Sequence, residues 1–177
     1  MKLLAFDTSN QALSLAILED EHLLAQTTLN IKKNHSITLM PAIDFLMNSL
    51  DMKPKDLDRI VVAQGPGSYT GLRIAVATAK TLAHTLKIEL VGVSSLLALV
   101  PEQVEGLVIP IMDARRNNVY AGFYQSGQAV RPEAHLPLAE VLEMAGTADQ
   151  PVTFVGETAT FAEQIKDALP QAAIQST

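Results

Sequence analysis

Leu3-Leu4-Ala5-Phe6-Asp7-Thr8-Ser9-Asn10 is an apolar run that ends on an acid and breaks into a polar turn. Leu107-Val108-Ile109-Pro110-Ile111-Met112-Asp113-Ala114-Arg115-Arg116-Asn117 repeats that pattern in the second half of the chain. An unbroken run of this length reads as a strand buried on both faces. An Asp at its end suits a turn, because its carboxylate can accept a backbone N–H two residues on. Setting Leu3–Ser9 beside Ile109–Arg115 aligns Asp7 with Asp113, a repeat of element order more than of residue identity.

Outward from each Asp the same elements follow. Ala12–Leu18 alternates, Glu19-Asp20-Glu21 turns, and His22–Leu29 is a third strand, so short links predict an antiparallel meander. A helix of about four turns follows on Leu39, Ile43, Leu46, Met47 and Leu50, with Asn34 or Ser36 as its cap and Pro41 bending its first turn. Arg59–Ala63 is a buried strand. It ends in Gly65-Pro66-Gly67-Ser68-Tyr69-Thr70-Gly71, which opens a helix from Thr70 to Leu86 on Leu72, Ala75, Val76, Ala79, Ala83 and Leu86. Glu89–Val93 is a strand, and Ser94 caps a short helix ending before Pro101. In the second copy, Val119–Tyr124 and Gln128–Glu133 are strands, then come a helix between Pro137 and Gly146, a strand Val152–Val155, and a helix on Phe161, Ile165 and Leu169. A matching strand and helix are expected to be missing after Pro170. The prediction is an α/β protein with a duplicated β-β-β-α-β-α unit: one lobe at 1–101, and a second, incomplete lobe at 102–177.

Composition narrows the class. Of 177 residues, 48% are hydrophobic and 18% charged, which excludes disorder and coiled-coil composition. No apolar run approaches the roughly 20 residues of a membrane helix, and an acid at position 7 arrives too early for a signal peptide. With no cysteine there is no disulfide framework, and a cytoplasmic protein is expected. The net charge of −6 is uneven: nine acids balance nine bases over 1–101, whereas 102–177 carries ten acids and four bases. Such a chain is a poor stand-alone binder of nucleic acid, although Arg59–Ile88 holds four bases and no acid.

Three chemistries compete for the motifs. Gly65–Gly71 leads into a helix N-terminus, where free N–H groups favour anions. It fails the P-loop pattern and it fails GxGxxG, since Gly71 lies one residue too far on; the same glycines suit a tight strand-to-helix turn. Metal hydrolysis finds no support in His22, His35, His84 and His135, none of which pair at ligand spacing. No serine nucleophile motif is present, so no catalytic residue is assigned. Recognition through helices fares better. The helix Ser36–Leu50 carries an apolar arc of roughly 200°, with Met40 and Phe45 outside the main stripe. On the next helix Ile74, Ala77, Thr78 and Thr81 fall outside the core stripe and allow close approach of another helix.

The stretch Gly65-Pro66-Gly67-Ser68-Tyr69-Thr70-Gly71-Leu72-Arg73-Ile74 resembles the TsaB (YeaZ) family of bacteria. So do Leu4–Ser9, Asn34-His35-Ser36 with Leu39-Met40-Pro41, and Met112–Arg116 with Val119-Tyr120; beyond Ala134 the likeness is diffuse. The resemblance implies a two-lobed, actin-like ATPase fold of RNase H-like lobes. It implies a role in forming threonylcarbamoyladenosine on tRNAs reading ANN codons. In that system the TsaB-type subunit is not the transferase: it pairs with TsaD, which holds a metal, and works with the ATPase TsaE, while TsaC supplies threonylcarbamoyl-adenylate. TsaD's two metal-binding histidines would fall at about Ser95 and Leu99, neither of which replaces an imidazole.

The family's pairing surface is built from the first two helices of lobe 1. The expected partner residues are therefore His35, Leu39, Ile43, Leu46, Leu72, Arg73, Ile74, Ala77, Thr78 and Thr81. Expected partners are TsaD, TsaE and, when alone, a second copy of the chain, with tRNA reached only through the complex. No metal and no cofactor are expected, with weak ATP or ADP binding left to the complex. Asp7, Thr8, Ser9, Gly65, Gly67 and Asp113 are the turns that would face a nucleotide. The rival reading is a nucleotide-hydrolysing or phosphotransferring enzyme using those turns, and behind it a metalloprotease.

Overall fold

A computed structural model describes residues 1–30 and 35–176, so the expected cap at Asn34 lies outside the described residues. The chain divides into two compact units, Met1–Ser95 and Leu96–Thr177. The first contains β1 (Lys2–Asp7), β2 (Leu13–Glu19), β3 (His22–Leu29), α1 (His35–Asn48), β4 (Arg59–Ala63), α2 (Tyr69–Leu86) and β5 (Glu89–Val93). The second contains β6 (Leu107–Asp113), β7 (Asn118–Gln125), β8 (Gln128–Pro137), α3 (Leu138–Gly146), β9 (Val152–Gly156), α4 (Ala162–Ala168) and β10 (Ala173–Ser176).

The duplication is plain in the strand order. One sheet runs β3-β2-β1-β4-β5 and the other, read from its far edge, β8-β7-β6-β9-β10. Each central strand pairs antiparallel with the next strand and parallel with the strand after the crossover helix. Asp7 and Asp113 thus end equivalent strands. The strand expected to be missing after Pro170 is present as β10, parallel to β9. It eluded the sequence reading because Ala173-Ile174-Gln175-Ser176 is short and carries one large apolar residue. The helix expected before Pro101 is only a 3-10 turn at Leu97–Leu99, with Leu96 at its N-cap.

In the first unit Leu4, Phe6, Leu13, Leu15 and Ile17 turn to one face of the sheet and meet Leu39, Ile43, Leu46 and Met47 of α1 and Ala75, Ala79 and Ala83 of α2. The small residues of α2 let its axis lie close to the strands. β1 is buried on that face alone, since Leu3 and Ala5 are half-exposed, which corrects the two-faced strand read from its apolar run. Its counterpart β6 is buried on both faces. Leu107, Ile109 and Ile111 join the helix-side core, and Val108 packs with Tyr124 and Val155 under Leu99, Val100 and Val104. A continuous apolar run therefore permitted two-faced burial in both repeats, and covering segments decided it in one.

Candidate functional site

The Gly65–Gly71 loop is built by close approach of backbones. Ser68 caps α2, its Oγ accepting the Gly71 N–H at 3.4 Å. The β1–β2 turn locks onto this loop: Ser68 N–H donates to Ser9 O (2.6 Å), and Thr8 Oγ1 donates to Gly71 O (2.7 Å). A Cβ on Gly71 would stand 1.9 Å from Thr8 O, and one on Gly67 2.4 Å from Ser9 O. Gly67 also holds φ at +151°, so glycine is required there twice over. Ser95 completes the loop, its Oγ accepting Gly65 N–H (3.1 Å) and its own N–H donating to Gly65 O (2.9 Å).

Asp7 and Asp113 do the same local work in the two repeats. Asp7 Oδ1 accepts Ser9 N–H at 2.6 Å, and Asp113 Oδ1 accepts Arg115 N–H at 2.7 Å. Burial pushes the Asp7 carboxyl above the usual carboxylate range, against the hydrogen bond from Ser9 N–H and the field of His35. His35, at the start of α1, places Nε2 3.2 Å from Asn10 O. Thr8 and Ser9 are buried, and Asp113 is exposed. Among the described residues no three His, Cys, Asp or Glu side chains are grouped to hold a metal.

The helix residues expected at a partner surface divide sharply. Leu39, Ile43 and Leu46 are 1%, 4% and 3% exposed and form the unit's own core, so they are not available to a partner. His35, Leu72, Ile74 and Thr78 are half-buried, and Ile74 packs against the core. Arg73, Ala77 and Thr81 are exposed. Arg73 lies over the ring of exposed Tyr69, 5.5 Å from its centroid, and Thr81 Oγ1 donates back to Ala77 O.

What α1 offers outward is a set of apolar side chains around the exposed Asp44 and Asn48. Ile37 is 69% exposed, Phe45 68%, and Met40 and Pro41 are exposed between them. These positions, at i, i+3, i+4 and i+8, share one face. Met40 and Phe45 stood out in the sequence as surplus apolar arc; Ile37 was missed. Its signal was there: α1 carries two interleaved 3.6-residue patterns, and only one can face the sheet.

Unit by unit, this is the fold of the actin-like ATPase class. The ROK hexokinase of Thermus thermophilus superposes with a TM-score of 0.54 at 11% identity, over 99% of this chain and 93% of that one. The family model described as TsaD, tRNA N6-adenosine threonylcarbamoyltransferase, matches residues 22–176. The TsaB protein of tRNA threonylcarbamoyladenosine biosynthesis from Bacillus subtilis is 47% identical over 176 residues, covering 96% of this chain and 77% of that protein. YeaZ from Pseudomonas aeruginosa matches with a TM-score of 0.86 at 30% identity, over 99% of this chain and 84% of that one. The chain belongs to the TsaB (YeaZ) family.

Proposed function

We propose that this chain acts in tRNA threonylcarbamoyladenosine biosynthesis as the non-catalytic, dimer-forming subunit. It pairs with TsaD, works with TsaE, and self-associates when alone. It carries no cofactor of its own and works in the cytoplasm; among the described residues no helix is long and apolar enough to cross a membrane. The observation that carries this reading is the outward face of α1, where Ile37, Met40, Pro41 and Phe45 are exposed around Asp44, together with the exposed Arg73, Ala77 and Thr81 of α2. Burying the exposed part of Ile37 and of Phe45 would contribute about 1–2 kcal/mol each. The match to the TsaD family model supports a homologous partner, which would present equivalent helices and allow near-twofold pairing. Ser95 supports the non-catalytic half of the proposal. It lies where the resemblance puts a metal-binding histidine in TsaD, and its buried hydroxyl is committed to Gly65.

The test is co-purification with TsaD. Ile37→Asp and Phe45→Asp should each abolish association with native circular dichroism, and modification of tRNA by TsaD, TsaE and threonylcarbamoyl-adenylate should fall with it. Retained pairing in both variants, or threonylcarbamoyl transfer by the isolated chain, would overturn the assignment.

A further inference from the structure

The turn between β6 and β7 holds three successive non-glycine residues in the left-handed region: Arg115 (φ 68°), Arg116 (φ 53°) and Asn117 (φ 60°). Tight hairpins that need positive φ normally use Asn-Gly or Asp-Gly, because other L residues are strained there. This chain places two arginines instead. The turn is nonetheless firmly built. Ala114 N–H donates to Asn118 O (2.9 Å), and Asn118 N–H to Arg115 O (3.0 Å). Asn118 Nδ2 reaches the carbonyls of Arg115 and Arg116 (3.3 Å each). Leu138 N–H and Gln164 Nε2 hold Asn117 through its carbonyl and Oδ1 (3.0 and 3.2 Å).

With the backbone fixed from inside, both arginine side chains are left exposed. Among the described residues neither forms an ion pair, and the N–H groups of Arg116 and Asn117 have no protein acceptor. Two carboxylates stand at the base of the turn, Asp113 Oδ1 accepting Arg115 N–H and Glu157 Oε2 accepting Asp113 N–H (2.7 Å each), and among the described residues neither is paired with a guanidinium. The other bases at 102–177 are Arg131, which lies over the Phe123 ring, and Lys166 on α4, so the pair supplies half of the basic side chains of an acidic unit.

We infer that the Arg115-Arg116-Asn117 turn is a phosphate contact for the backbone of an RNA, the tRNA handled by the assembly proposed above, on which reading this inference rests. Two guanidinium forks and free backbone N–H groups on a rigid loop are the donor set that phosphodiester oxygens accept from. The turn carries no large apolar side chain, which an acidic peptide docking there would need for anchorage. The strained backbone is tolerated because the side chains it presents serve binding, not folding.

The test replaces the pair with the residues the turn geometry prefers, Arg115→Asn with Arg116→Gly, in the complex with TsaD. Binding of an unmodified tRNA transcript is measured from about 50 to 200 mM salt. The expected result is a melting temperature equal to or above wild type, unchanged co-elution with TsaD, and a salt slope flatter by about one to two. Affinity at the lowest salt should fall about tenfold or more. An unchanged slope with assembly intact overturns the inference. So does loss of co-elution, which would make the turn a protein contact. A wild-type chain that never pairs with TsaD defeats the functional reading beneath it, whereas one that pairs in a complex with no affinity for tRNA defeats this inference alone.

Discussion

Gly71→Ala sets two effects of opposite sign against each other. In an unobstructed helix the change would stabilise by up to about 1 kcal/mol, since alanine loses less backbone entropy than glycine. Here the new Cβ would lie 1.9 Å from Thr8 O and 3.0 Å from Thr8 C, so about 1 Å must open between the first turn of α2 and the β1–β2 turn. Overpacking of this kind costs about 1–3 kcal/mol. The same displacement stretches Thr8 Oγ1 to Gly71 O and Ser68 N–H to Ser9 O, now 2.7 and 2.6 Å, at about 1 kcal/mol each. The clash wins, with a net loss of about 2–4 kcal/mol after the helix gain is counted. The assay is urea unfolding at 25 °C followed by circular dichroism. Thr8→Val serves as the control that removes one hydrogen bond without the overlap, and it should lose about half as much or less. A Gly71→Ala midpoint equal to or above wild type would refute the account of why this loop needs its glycines.

Two further outcomes follow from burial. Because the native state holds the Asp7 proton to higher pH than the unfolded chain, wild-type stability falls as pH rises from about 4 through the native value. Asp7→Asn keeps an acceptor for Ser9 N–H but cannot ionise, so its stability relative to wild type should improve between pH 4 and pH 7; a difference that is flat or reversed in sign contradicts the burial argument. Leu39→Ala should cost about 2–5 kcal/mol, whereas Phe45→Ala should change stability by no more than about 0.5 kcal/mol. Chemical denaturation of the two variants decides it, and equal losses would mean that the two stripes of α1 have been assigned to the wrong faces.

The repeat was legible because it is written in local terms. Leu3–Phe6 and Leu107–Met112 are apolar runs that each end on an Asp, and the alternation after them has period two. The helices announce themselves by apolar spacing, and β10 escaped for want of it. The glycines of Gly65–Gly71 could be recognised as a turn, but not what they make room for. The contact of Gly71 with Thr8 joins residues 63 apart, and no local pattern encodes the distance between two backbones.

The partner surface shows the division most clearly. The order of residues alone shows that α1 has more apolar surface than one sheet can cover, since hydrophobic side chains at helical spacing exceed a single stripe. Asp44 and Asn48, which fall among Ile37, Met40, Pro41 and Phe45, mark that face as the outward one, but spacing alone did not say how completely Leu39, Ile43 and Leu46 would be enclosed. That enclosure is made by the neighbours: β2 and α2 close over Leu39, Ile43 and Leu46 and leave the other face to solvent. In the same way the order of residues names Arg115 and Arg116, whereas the left-handed backbone that holds them out exists only once Asn118, Leu138 and Gln164 are brought beside the turn. Periodicity is a property of the chain, and exposure is a property of what packs against it.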